Sequence, residues 1–71
     1  MNTNLLKSYI VKHGETQESL ADLLGIARGT INRKIQGKDA DFTQGEIMAI
    51  KEHYDLSADE VDRIFFAKKV S

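Results

Sequence analysis

The side chains in this sequence best equipped for chemistry are Arg28, Asn32 and Arg33, with Lys34 and Lys38 just beyond them. An arginine presents donors in a planar fork, and an asparagine presents a donor beside an acceptor, so the set can recognise a partner by hydrogen bonds and charge. It does not by itself break a bond. Residues that could do so lack the company they need: Ser8, Ser19, Ser57 and Ser71 have no base patterned around them for nucleophilic attack. His13 and His53 lie far apart, with no cysteine in the chain and no HxxxH spacing, so no metal site is expected. Gly25, Gly29 and Gly37 punctuate helices and do not build a phosphate loop. Asp59 and Glu60 open a helix, where the dipole is reason enough for acids. The expectation is a binding protein, not an enzyme, with no cofactor.

What must position the recognising residues is a pair of helices. Leu20 and Leu24 lie four apart on one helical face, and small Ala21 beside them leaves a notch where another backbone can approach. Gly25 follows the last periodic residue, where a left-handed conformation closes a helix, and Ile26 can then fold back onto the stripe. A second helix is predicted from about Arg28 to Gln36, with Ile31 and Ile35 facing inward. Arg28, Gly29, Asn32 and Arg33 are thereby left on its outer face and leading end. A short helix, a glycine turn and a second helix with long polar side chains outward is an arrangement that lets the second helix enter a DNA major groove.

On Gln17, Leu20, Ala21, Leu24, Gly25, Ile26, Ile31, Ile35 and Gly37, this stretch resembles the helix-turn-helix of phage Cro/CI-type repressors, the Xre-like family. The likeness is strong over about twenty residues, 17–37, and looser over most of the chain. It implies an all-α, lambda-repressor-like DNA-binding domain in which the first residues of the second motif helix reach base edges. By position these are Arg28, Gly29, Asn32 and Arg33. Arginine suits guanine O6 and N7, and asparagine suits adenine N6 and N7. Gln17, Thr30, Lys34 and Lys38 are the candidates for phosphate contacts, which set register and affinity. Backbone amides of Thr43 and Gln44, at the start of another helix, are further candidates. Gly29 departs from the family in lacking a side chain, and Ala27, where the family often has serine or threonine, forfeits an N-cap.

The resemblance further implies repression of a promoter by a homodimer on a near-palindromic double-stranded operator. Dimerisation is expected to be weak in the absence of DNA. Two other readings stand beside it. One is an antitoxin-type autoregulator that uses the same fold to bind its operator while masking a toxin. The other is a helical protein-interaction module that uses the surface from Val61 to Phe66 and binds no DNA.

Composition bears on these expectations. With 71 residues the chain is one small domain, 1–71, near the size at which a single core barely suffices. Its formal net charge of -1 is unusual for a nucleic-acid binder, but the distribution matters more. No carboxylate falls between Asp22 and Asp39, whereas Arg28, Arg33, Lys34 and Lys38 do. Acids elsewhere are screened beyond about 8 Å at physiological salt. The absence of cysteine fits a reducing compartment, and no stretch approaches the roughly 20 apolar residues of a membrane span. A soluble, cytoplasmic protein is expected.

Along the chain, a first helix is predicted over Asn4 to His13, capped by Thr3 or Asn4, with Leu5, Leu6, Tyr9 and Ile10 inward and Gly14 as its stop. His13 is read as a terminal surface residue. Thr16 is the N-cap of the next helix. After the motif, residues 37–41 read as an exposed loop. Thr43 and Glu46 form a capping box, with Phe42 placed to staple onto Ile47, and the helix runs to about Tyr54. Its inner face is Ile47, Ile50 and Tyr54, with Met48 as a gap-filler and Lys51, Glu52 and His53 facing water. Ser57 and Glu60 form a second capping box for a last helix reaching about Ala67, followed by a frayed tail. Val61, Ile64 and Phe65 share its inner face, and Phe66 points aside.

Overall fold

The computed structural model describes residues 1–37 and 40–66. Among these the protein is all-α, with five helices in the order α1 (Thr3–Lys12), α2 (Gln17–Leu24), α3 (Arg28–Gln36), α4 (Gln44–His53) and α5 (Ala58–Phe65). The apolar stripes explain the packing. Leu6 and Ile10 of α1, Leu20 and Ala21 of α2, Ile31 and Ile35 of α3, Ile50 of α4 and Ile64 of α5 meet in one core. Helix α2 packs mainly on α3, α1 lies against α5 and α3, and α4 bridges α2 and α5. Leu56, just before α5, is also buried. It holds the position before the N-cap that a hydrophobic staple uses, so a local signal for it was present.

Helix ends follow local chemistry. Thr43 and Ser57 each accept a bond from the amide of the glutamate three residues on, and that glutamate accepts from the cap residue's own amide. Thr16 caps α2 as expected, and Ser19 closes a reciprocal box with it. The start of α1 differs from expectation. Asn2 is the cap, its Oδ1 accepting from the Leu5 amide at 3.1 Å. Thr3 is already helical, and its hydroxyl donates 2.7 Å to the carbonyl of Ile35 at the end of α3. The Asn2 amide also donates to the Ile64 carbonyl at 2.7 Å, so the start of the chain bridges α3 and α5. A tertiary partner thus took the hydroxyl that a cap would have used.

Met48 does not fill the core; it is 51% exposed, because the α4 stripe of Ile47, Ile50 and Tyr54 already covers the neighbouring helices. The expected end of the last helix at Ala67, and the tail after it, lie outside the described residues.

The turn after α4 was not foreseen. Asp55 takes a left-handed conformation, φ 52°, and Leu56 N–H reaches back to the Lys51 carbonyl at 2.9 Å. This is the bonding of a glycine-terminated helix, made here by a residue with a Cβ. We expect Asp55→Gly to raise stability by about 0.5 to 1 kcal/mol, the relieved strain exceeding the added freedom of the unfolded chain. Thermal denaturation by circular dichroism checks this: a rise of roughly 2 to 8 °C is expected. A fall would show that the Asp55 carboxylate contributes a bond of its own.

Candidate nucleic-acid interface

The α2–α3 junction is built from backbone bonds. Gly25 adopts φ 68° and ψ 31°. Its amide donates to the Asp22 carbonyl at 3.2 Å, and the Ile26 amide donates to the Ala21 carbonyl at 3.0 Å. This paired closure satisfies two carbonyls at the end of α2 and turns the chain at once into α3. Ile26 packs against the core, which pins the turn. Ala27 then enters α3 with no side-chain cap. The first α3 amides therefore have no capping side chain at the end where Arg28 stands.

Ile31 and Ile35 are fully buried, so the opposite face of α3 is outward. Arg28, Gly29, Asn32 and Arg33 are all exposed, and Thr30 is half-buried. A Cβ added at Gly29 would meet nothing within 4 Å, so no neighbouring atom requires glycine there. Gln17, Arg28 and Asn32 come together around a cleft of about 290 Å³ between the leading ends of α2 and α3, which Thr16 and Glu18 complete.

Two residues not singled out from the sequence lie against this face. Glu18 Oε2 lies 3.6 Å from an Arg28 guanidinium nitrogen. Gln36 Nε2 donates 3.2 Å to Asn32 Oδ1, leaving the Asn32 amino group free to donate elsewhere. The Asn32 to Gln36 spacing of one helical turn was the available signal for the second contact. Nothing local pointed to the first, since an acid in a first helical turn already has the dipole to justify it.

Lys34 is placed differently from its expected role in phosphate contact. Its ammonium donates 2.6 Å to Glu46 Oε1, and the two side chains are only 12% and 14% exposed. The same ammonium lies 5.9 Å from the centre of the Phe42 ring, which itself meets Phe65 edge-on. Burial works to raise the Glu46 carboxyl, but Lys34 and the Thr43 amide together outweigh it and hold the group below the usual carboxylate range. Lys34 thus ties α3 to α4, because its position beside Ile31 and Ile35 lets a long chain reach inward. Glu46 also occupies the Thr43 amide that was a candidate for phosphate, through a 2.8 Å bond. Lys38 lies outside the described residues.

A second polar cluster sits where the α1–α2 loop meets the end of α4. His53 Nε2 lies 2.8 and 3.0 Å from the two Glu15 oxygens; as a carboxylate only accepts, this nitrogen carries the proton. That bond holds Glu15 below the usual carboxylate range. His13 is exposed at the end of α1, as expected of a terminal surface residue, and its ring lies tilted against that of Tyr54 with centres 4.6 Å apart. Tyr54 is buried, and that burial, together with the Glu15 carboxylate beside its hydroxyl, pushes the phenol well above its ordinary range. On α1, Tyr9 donates to Glu60, which raises the phenol. The Ser57 amide, then Tyr9, holds the Glu60 carboxyl down. These contacts join the elements behind the α2–α3 face. Among the described residues no three His, Asp or Glu side chains converge as a metal would require, and no helix is long and apolar enough to cross a membrane.

The molecule is therefore a small all-α domain whose second and third helices enclose a polar, arginine-bearing cleft. Comparisons with protein-family models, with curated proteins and with solved structures found no match.

Proposed function

We propose that this protein is a cytoplasmic, sequence-specific double-stranded DNA-binding regulator of the lambda-repressor-like kind, acting as a repressor, with α3 as its reading helix. The observation that carries the reading is the convergence of Gln17, Arg28 and Asn32 on one cleft across a tight glycine turn. In this reading Arg28, Asn32 and Arg33 meet base edges, and Gln17 and Thr30 meet phosphate. Lys34 is assigned to the α3–α4 ion pair instead.

Selection of binding sites from random duplex DNA tests the proposal. A shared motif is expected. Arg28→Ala and Arg33→Ala should each lose about 1 to 3 kcal/mol of discrimination at one base pair while remaining folded. Unrelaxed preference in both variants would move the reading surface elsewhere, and equal binding to every duplex would leave only attraction by charge.

One module buries roughly 600 to 1,000 Å² on DNA, which favours pairing of two copies on half-sites about 34 Å apart. The proposed self-contact is the hollow lined by Met1, Asp41, Phe42, Ile47, Phe65 and Phe66, where the apolar side chains of Phe66 and Met1 are 57% and 42% exposed. Exposed apolar side chains gathered at one place on a small domain favour an interface. Phe66→Glu should leave the fold intact and abolish cooperative occupancy of a two-half-site operator, with little change at one half-site. Footprinting decides this; undiminished cooperativity would place the contact on another surface.

A further inference from the structure

Arg28 faces the DNA side of the cleft with a carboxylate as its immediate neighbour, and that pairing bears on which base pair it reads. Glu18 stands in the first turn of α2 and Arg28 is the first residue of α3, so the tight turn sets the two groups side by side. Their side chains are 62% and 78% exposed, with one N···O separation of 3.6 Å. An ion pair this exposed holds its partners only weakly, so both groups are free to exchange each other for a ligand. The helix dipole accounts for an acid at this position, but not for its direction toward the guanidinium.

A donor fork beside an acceptor-only group is complementary to one particular edge. In the major groove a G·C pair presents guanine N7 and O6 as acceptors and the cytosine N4 amino group as donor. O6 and N4 are themselves partners in the base pair, about 2.9 Å apart by ordinary hydrogen-bond geometry. The Glu18 and Arg28 atoms, 3.6 Å apart, stand somewhat wider than that, and side chains this exposed can close the difference. We infer that Glu18 and Arg28 read one G·C pair as a unit, Arg28 donating to the guanine and Glu18 accepting from the cytosine amino group. Glu18 is then a specificity-determining residue. This rests on the DNA-binding reading above.

The carboxylate has an opposite effect on affinity. It repels phosphates on every sequence, so its removal should tighten binding to unrelated duplex while the preference for G·C is lost. A Glu18 that served only to stabilise the fold away from the DNA would, in folded protein, leave both the random-duplex affinity and the G·C preference unchanged.

Site selection and competition binding at two salt concentrations, using wild type, Arg28→Ala, Glu18→Ala and the double variant, test the inference. Wild type should favour G·C at the position where Arg28→Ala relaxes. Glu18→Ala should relax that same position, by roughly 5- to 150-fold. It should also bind random duplex more tightly, most visibly at low salt. The double variant should lose little more than either single one. Should Glu18→Ala melt too low for binding work, Glu18→Gln removes the charge with the side chain retained, and should likewise bind random duplex more tightly with weakened G·C preference. Retention of the full G·C preference in a folded Glu18 variant overturns the inference while leaving the DNA-binding reading in place. Failure of wild type to enrich any motif removes both.

Discussion

Lys34→Ala is expected to destabilise the fold by roughly 3 kcal/mol, the lower end of the range for removing one partner from a buried ion pair. Glu46 would keep its charge in a site where its side chain is 14% exposed, without the ammonium 2.6 Å away that offsets its lost hydration. The packing of the lysine stem and its ammonium near Phe42 would go as well. At roughly 0.05 to 0.15 kcal/mol per residue the whole domain holds only about 4 to 11 kcal/mol, so the loss is a large share of it. Thermal melting should fall by more than about 10 °C. Glu46→Gln in the Lys34→Ala background should recover part of the loss, since the stranded charge is then gone; a double-mutant cycle measures the coupling. A Lys34→Ala variant with wild-type melting and uniformly weaker DNA binding would return Lys34 to the phosphate-contacting set.

Gly25→Val is expected to cost about 2 to 3 kcal/mol, by a different route. A Cβ at this glycine meets nothing within 4 Å, so no clash opposes the substitution. The cost is conformational: φ 68° suits glycine and strains a β-branched residue. Relaxing that strain would break the Ile26 to Ala21 bond and change how α3 leaves α2. Gly25→Asn, which tolerates the left-handed region, should lose much less. Equal melting of the valine and asparagine variants would show that the backbone turn at Gly25 does not hold α3 in place. Because α3 carries Arg28 and Asn32, the valine variant should also lose operator preference in the fraction that remains folded.

These two positions show how differently the parts of the site were written in the sequence. Gly25 was legible because each of its partners lies within a few residues, and the chain meets them as soon as the helix closes. The caps at Thr16, Thr43 and Ser57, and the inward faces of α3 and α4, were legible for the same reason. Asp55 carried no glycine signal, although its turn bonds like one that does. Met48 was read inward because periodicity ranks faces but does not say how wide a stripe the neighbours will cover.

The sequence by itself determined where the helices of this protein run, which stripes they bury, and that Arg28, Asn32 and Arg33 share an outer face, since all of this follows from contacts within a turn or two of helix. Only the tertiary structure decided that Lys34 turns inward to Glu46, that the Thr3 hydroxyl is spent on α3, and that Arg28 faces Glu18. Each of those pairs joins two helices whose crossing is set by the burial of other residues. A long polar side chain at the edge of an apolar stripe has two environments open to it, and the neighbour that the packing brings up determines which one it takes.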